Sequence, residues 1–364
     1  MGVRDDPDGA VASEAPARAG APVLLSVVMP VHNALPYLDE AIRSILEQSH
    51  RDFEFVIGDD ASTDGSTEVL RAWEARDPRI RLLERRDNLG PSGSSNWVVR
   101  EARGRLIARM DADDIAHPDR LKRQLRVLAE HPDAVLTGSP PVGIDREGKL
   151  VRAQTRWMVE RHGFNAPVAH GSIMYRREAF EQAGGYRAAC AFWEDLDLYQ
   201  RMAKQGRVLV LPDELYYYRF TDTSARLTAN RERVEAAFRL MLSCRDAHSR
   251  GEDYTPLLEA GPPAAGDGAD PARIEPLIFL SFAVGPVWYG DSPHQFRTML
   301  KRAALPRNRE SALVWFAVLW GSVSPRSLRG FLKARVWLHN RRKARLFPDG
   351  QVYEWLPRAP KREG

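Results

Sequence analysis

Leu106-Ile107-Ala108-Arg109-Met110-Asp111-Ala112-Asp113-Asp114 runs from an apolar stretch of strand length straight into a group of carboxylates, and Pro118 with a helical pattern over 118–130 follows. In an open α/β sheet, ligands bind in the crevice beyond the carboxyl ends of the strands, and this acidic group falls there. Asp111 and Asp113 lie two residues apart, so in extended chain they share a face, and a turn brings Asp114 near them. Like charges this close repel unless a cation or hydrogen-bond donors balance them. A hard divalent cation, Mn²⁺ or Mg²⁺, shared with phosphate oxygens suits such a set. An isolated D-x-D is more often a solvated turn capping the next helix, so its surroundings decide the reading.

Those surroundings alternate. Leu24 to Val31 is a β-rich apolar run that reads as a buried parallel strand, and Leu38, Ala41, Ile42, Ile45 and Leu46 then recur at helical spacing. Phe53 to Ile57 is a second strand, followed by a helix that Asp64 caps and that runs to about Arg76. Ile80 to Leu83 is a third strand, 94–103 a helix, and Leu106 to Met110 the fourth strand. Strand and helix in turn with short links predict a mostly parallel sheet covered on both faces, an α/β domain. Further on, Ala134 to Thr137, Ser172 to Tyr175 and Val208 to Leu211 read as strands, with helices over 176–183 and from Trp193 to Gly206. After about residue 226 strand signals disappear, and helical patterns occupy 229–248, 292–303, 308–320 and 326–346.

Bulk properties bound the function. The chain has 364 residues, 43% hydrophobic and 28% charged, as in an ordinary globular protein. Cys190 and Cys244, without C-x-x-C spacing, exclude a disulfide scaffold and argue against a zinc site. Residues 1–22, rich in Ala, Gly, Pro and acids, read as a flexible tail rather than a signal peptide. The apolar stretches Ala312 to Trp320 and Leu277 to Ala283 are too short to span a bilayer. Net charge is +4, yet residues 325–364 hold 11 Lys/Arg against 3 acids, so the basic character sits at the end of the chain. No recognition motif accompanies those bases, which disfavours nucleic acid as a partner.

Other clusters stand at predicted strand ends. Pro30-Val31-His32-Asn33 suits a nucleotide base, with a plain strand-to-helix turn as the alternative. Asp59-Asp60, with Ser62 and Asp64, places carboxylates where they can accept a base N–H. Asn88-Leu89-Gly90-Pro91-Ser92-Gly93 is Gly-rich but fits neither a dinucleotide fingerprint nor a P-loop. Phe192-Trp193-Glu194-Asp195-Leu196-Asp197 opens a helix. Its acids are either dipole partners of the first turn or, beside aromatic faces that stack on sugars, a general base. His170, in Ala169-His170-Gly171-Ser172, has either a structural or a substrate-touching role.

In order and spacing, V-V-M-P-V-H-N, F-E-F-V-I-G-D-D-A-S-T-D-G-S, N-L-G, M-D-A-D-D, W-E-D-L-D-L-Y-Q-R-M and L-P-D-E-L-Y-Y-Y-R resemble glycosyltransferase family 2 over about residues 24–222. The resemblance implies the GT-A fold over 23–225, with a helical C-terminal region over 226–364. It implies that Asp59 and Asp60 hold the base of a nucleotide-diphosphate sugar in a pocket lined by Pro30, His32, Asn33 and Asn88. Asp111 then meets the ribose or the metal shell, Asp113 binds the Mn²⁺ or Mg²⁺ bridging the diphosphate, and Asp195 is the catalytic base, with Glu194 as the neighbouring alternative. His170, Trp193 and Asp197 are candidates for contact with sugar or acceptor. His32 stands where relatives often carry Tyr, and Arg219 is followed by Phe220-Thr221-Asp222 where many have a His. A Q-x-x-R-W signature of processive synthases is absent, and Tyr199-Gln200-Arg201-Met202 stands in its place, favouring one sugar per encounter.

The expectation is therefore an inverting, metal-dependent, cytoplasmic transferase acting on a saccharide or lipid-linked acceptor in surface glycan synthesis. The alternative is a non-catalytic nucleotide-sugar-binding partner of a glycan assembly complex. A nucleotidyltransferase would show a Gly-rich start with a basic residue after strand one, and P-V-H-N-A-L-P does not. Trp315, Phe316, Trp320, Phe331 and Trp337, interleaved with Arg and Lys, either lie peripherally on an anionic membrane or cap the catalytic domain.

Overall fold

The computed structural model describes residues 24–150, 168–221, 230–263 and 353–355. Its centre is an eight-stranded sheet. In chain order the strands and helices are β1 (Leu25–Val31), α1 (Leu38–Leu46), β2 (Glu54–Asp60), α2 (Ser66–Glu74), β3 (Ile80–Arg85), α3 (Gly90–Glu101) and β4 (Leu106–Arg109). Then come β5 (Ile115–Ala116), α4 (Arg120–Glu130), β6 (Ala134–Gly138), β7 (Pro141–Ile144), β8 (Met174–Arg176), α5 (Arg177–Gln182) and α6 (Glu194–Met202). The last are β9 (Arg207–Val210), β10 (Tyr216–Arg219), α7 (Arg231–Ser249), α8 (Thr255–Ala260) and β11 (Tyr353–Trp355).

The order across the sheet is β11-β9-β6-β8-β4-β1-β2-β3. β3, β2, β1 and β4 pair in parallel, as do β6 and β9, while β8 runs antiparallel between β4 and β6. From β1 the chain winds outward through β2 and β3, then returns to place β4 on the other side of β1. That reversal opens a crevice at the carboxyl ends of β1 and β4, the usual ligand position in such sheets.

Burial explains the pattern. Every residue of β2 and β4 is buried, as continuous apolar strands require when helices cover both faces. One face packs against Leu38, Ile42 and Ile45 of α1, Leu70 of α2 and Leu121 and Leu128 of α4. The other packs against Trp97 and Val98 of α3, Phe180 of α5 and Leu198 and Met202 of α6. α3 can approach β2 because Gly58 has no side chain: a Cβ there would stand 2.3 Å from Val98 Cγ1.

Several elements differ from expectation. A second sheet, β5-β10-β7, has no counterpart in the sequence reading, since strands of two to four residues leave little alternation to read. α3 begins at Gly90 rather than near 94, so most of the supposed Gly-rich loop is helix with Pro91 in its first turn. The helix over 229–248 is present as α7, while those over 292–303, 308–320 and 326–346 lie outside the described residues. Strand structure does not end near 226, because β11 pairs antiparallel with β9 at the sheet edge. Among the described residues no helix is long and apolar enough to cross a membrane.

Candidate active site

The loops after β1 and β2 are knitted together. Asn33, at a left-handed φ of 53°, donates its backbone N–H to Ser62 Oγ (3.0 Å) and accepts from Thr63 N at Oδ1 (2.7 Å). Ala61 is also left-handed, at φ 62°, and non-glycine residues in that region cluster at ligand sites. Asp59 and Asp60 both end β2, yet they do different work. Asp59, 2% exposed, accepts from Ser62 N (3.0 Å) and Thr67 Oγ1 (2.5 Å), one bond on each oxygen. Those bonds tie the loop to α2. Asp60 Oδ1 accepts from Leu89 N (2.8 Å), and its carbonyl accepts from Asn88 Nδ2 (3.1 Å) and His32 Nδ1 (2.9 Å). No bond among the described residues engages Asp60 Oδ2. Pro30, half-buried, faces Gly58 in register beside this group.

At the end of β4 the acidic group sits among buried arginines. Arg109, 6% exposed, reaches Asp111 Oδ1 at 2.6 Å. Burial is the largest single influence and lowers the pKa of its guanidinium, but the charge and hydrogen bond of Asp111, together with Tyr186 and Tyr216, raise it on balance. Arg120, fully buried in α4, donates to the Arg109 carbonyl (2.5 Å) and lies 5.3 Å over the Tyr216 ring. Arg219, at the end of β10, donates its backbone N–H to Asp114 Oδ1 (2.7 Å) and its Nε to the Asp113 carbonyl (2.8 Å). Its Nη1 serves the carbonyls of Asp145 (3.2 Å) and Arg146 (2.9 Å), Nη2 pairs with Glu40, and the guanidinium lies 4.6 Å over Tyr37. Tyr216 OH accepts from Asp111 N at 3.2 Å, and Gly171 passes so close that a Cβ would stand 1.7 Å from that oxygen and 2.6 Å from Asp111 Oδ2.

These arginines fix backbone and Asp111 but leave negative charge unrelieved. Burial first, then the charge of Asp111, pushes Asp113 up to about 6. Burial, then Asp113 and Asp111, holds Asp114 well above the carboxylate range despite bonds from Arg219 N and Tyr216. Among the described residues no other residue donates to the Asp113 carboxylate. A divalent cation would favour the charged form, and hard oxygen donors suit Mn²⁺ or Mg²⁺. Among the described residues no set of three or more His, Cys, Asp or Glu forms a ready cage, and Mg²⁺ commonly binds through one or two carboxylates plus substrate phosphates. Asp113 and Asp111 fit that role.

The third part comes from α6 and the turn before β8. Asp195 and Glu194, both half-buried in the first turn of α6, act electrostatically on Tyr186, as do Arg109 and Asp111. Tyr186 thus marks where the two groups of carboxylates approach one another. His170 Nε2 is 2.9 Å from Tyr186 OH, and burial with the nearby Arg109 charge holds its pKa well below the ordinary value. That bond places the His170 ring against Tyr186. Trp193 (1% exposed) is buried against α7, and Asp197 (0%) is committed to Arg201 and Tyr254. Burial takes both out of reach of an acceptor, correcting the expectation from residue type. The sequence reading missed Arg109, Gly171, Tyr186, Tyr216 and Arg219 as parts of the site. Arg109, at the end of β4 and two residues before Asp111, carried a legible signal. The others are joined only by tertiary structure.

Residues 26–184 match the family model described as glycosyl transferase family 2. EpsE of Bacillus subtilis, named as a glycosyltransferase, is 32% identical over 252 residues, which cover 66% of this chain and 90% of EpsE. TuaG of the same organism, named for teichuronic acid biosynthesis, is 37% identical over 29% of this chain and 42% of TuaG. The chondroitin synthase of Escherichia coli is 28% identical over 50% of this chain and 27% of that enzyme. Among solved structures, the mannosyltransferase PcManGT of Pyrobaculum calidifontis, in complex with GDP-Man and Mn²⁺, superposes with a TM-score of 0.50 at 19% identity, covering 88% of this chain and 86% of that one. S. aureus TarS 1-349 with UDP-GlcNAc gives 0.50 at 17% identity, covering 93% and 98%. At such identities the likeness shows the fold, the GT-A arrangement.

Proposed function

This chain belongs to glycosyltransferase family 2, and on that premise we propose that it transfers a sugar from a nucleoside diphosphate to a saccharide or lipid-linked hydroxyl acceptor, one unit at a time and with inversion. The observation that carries the reading is the set of mutually repelling carboxylates at the carboxyl edge of β4, with Asp113 raised to about 6, across the strand-order reversal from Asp60.

Asp60 offers Oδ2 to a base N–H, with Pro30, His32 and Asn88 around it, and Asn33 shapes the loop between. Asp113 and Asp111 would hold Mn²⁺ or Mg²⁺, which when bound stabilises the charge developing on the leaving diphosphate. Asp195 accepts the acceptor hydroxyl proton as that oxygen attacks the anomeric carbon. One base on the face opposite the leaving group gives a single displacement with inversion. Glu194, in the same turn, is the neighbouring candidate. The names of TuaG and chondroitin synthase favour a polysaccharide as the product, and nucleotide-sugar donors favour the cytoplasm. The basic segment 325–364, read for anionic membrane contact, lies outside the described residues except for 353–355.

The test is calorimetry with UDP, GDP, CDP and dTDP, each with and without Mn²⁺, on wild-type protein and on Asp113→Ala and Asp195→Asn. One diphosphate binds tightly and only with the cation, Asp113→Ala loses that binding, and Asp195→Asn keeps it while losing transfer. Metal-independent binding, or transfer retained in Asp195→Asn, refutes the corresponding role.

A further inference from the structure

The first turn of α6 holds carboxylates that look in opposite directions. Successive residues of an α-helix are about 100° apart, so Asp195 and Asp197 stand roughly 200° from each other around the axis. Asp195 faces the side where its charge acts on Tyr186 and Tyr199. Asp197 faces α7 and α8: Oδ1 accepts from Tyr254 OH at 2.9 Å, and Oδ2 takes the Arg201 guanidinium through Nε at 3.1 Å and through Nη2. Arg187 Nη1 stands 3.8 Å from the same carboxylate and 3.4 Å from Thr255 Oγ1, the residue after Tyr254. Tyr254 is 4% exposed and Asp197 0%.

A second anchor acts on the same turn. Trp193, immediately before α6, and Leu196 within it are buried in one apolar cluster with Val234, Phe238 and Met241 of α7. The helix start is thus gripped on its α7–α8 side by packing and by a buried charged hydrogen bond. Removing one partner from such a network leaves buried polar groups unsatisfied, which is costly in low dielectric.

We propose that Tyr254, acting through Asp197, is a positioning residue for glycosyl transfer: it sets the rotation of α6 and thereby the place of the Asp195 carboxylate. The proposal rests on the assignment of Asp195 as base. It makes 230–260 part of the catalytic unit rather than an appendage.

The full chain is tested as Tyr254→Phe, Asp195→Asn and the double variant. Activity is read as nucleoside diphosphate released from UDP-GlcNAc, UDP-glucose or GDP-mannose with Mn²⁺, whichever the wild type turns over fastest. Tyr254→Phe is expected to lower kcat about tenfold with donor KM within about twofold, and to add nothing in the Asp195→Asn background. Hydrogen exchange of the amides over 194–198 should quicken about tenfold, with β1 and β4 unchanged. A merely structural Tyr254 would lower Tm and the folded fraction while leaving kcat per folded molecule unaltered, which overturns the proposal. An equal loss in both backgrounds overturns it too, and so does unchanged exchange over 194–198, a readout that needs no turnover. Wild-type turnover in Asp195→Asn would instead sink the assignment of the base.

Discussion

Replacing Arg219 by Met should damage the acidic loop more than any substitution of an exposed residue in it. Arg219 is 1% exposed at its side chain and donates to the carbonyls of Asp113, Asp145 and Arg146 while lying over Tyr37. The carbonyls of Asp145 and Arg146 belong to a solvent-facing turn and regain water. The Asp113 carbonyl loses its Arg219 donor, and leaving one buried acceptor unsatisfied costs about 1–3 kcal/mol. Loss of the contact over Tyr37 adds about 0.5–2 kcal/mol, and the pair with Glu40, whose side chain is 53% exposed, adds little. The total is about 1.5–5 kcal/mol, much of the margin of an ordinary domain. Urea unfolding followed by circular dichroism measures it, and calorimetry should show Mn²⁺-dependent nucleoside diphosphate binding weakened at least about tenfold. Arg219→Lys, with one point donor in place of a planar fork, should fall between. A Met variant within about 0.5 kcal/mol of wild type and with unchanged affinity would show that the loop keeps its shape without the clamp.

Three further outcomes are expected. Asp113, raised to about 6, binds more protons folded than unfolded between about pH 4 and 6, so its contribution makes the metal-free protein lose stability as pH rises through that window. Asp113→Asn should therefore raise the Tm of the metal-free protein at pH 7.5 and abolish the gain in Tm on adding Mn²⁺, a gain the wild type should itself lose below about pH 6. Gly171→Ala forces a Cβ to within 1.7 Å of Tyr216 OH, and Tyr216 is fully buried. Thermal melts should show it strongly destabilised, while Gly184→Ala, where a Cβ meets nothing within 4 Å but φ is +78°, should lose only about 1–2 kcal/mol. Asp59→Asn should lower Tm with little change in nucleotide affinity per folded molecule, whereas Asp60→Asn should do the reverse in calorimetry.

The main sheet was legible because β1, β2 and β4 are mostly apolar runs, each leading into polar residues at one edge of the sheet. The acidic loop was legible for the same reason. Its bond to Arg219 was not: Arg219 closes the L-P-D-E-L-Y-Y-Y-R motif, but it lies 105 residues beyond Asp114, to which it bonds, and nothing local says that the two meet. Asp59 and Asp60 look alike in sequence, and only Thr67 on one side and Leu89 on the other divide their roles. Asp195 and Asp197 pose the same problem on a helix, where the partner that turns one inward, Tyr254, sits 57 residues from Asp197. In each case a local pattern gives the residue type and the element, while the commitment of each lone pair depends on a distant donor.

β11 carries a consequence for synthesis. It is the last strand among the described residues, yet it covers the outer edge of β9, whose Val208, Leu209 and Val210 are buried. During vectorial translation, roughly 140 residues must leave the ribosome after β9 before its edge can be sealed. For that interval an apolar strand with open N–H and C=O groups is a template for a second nascent chain. Neighbouring ribosomes on one message are where such pairing would start, and a protein truncated before Tyr353 would keep that edge open permanently.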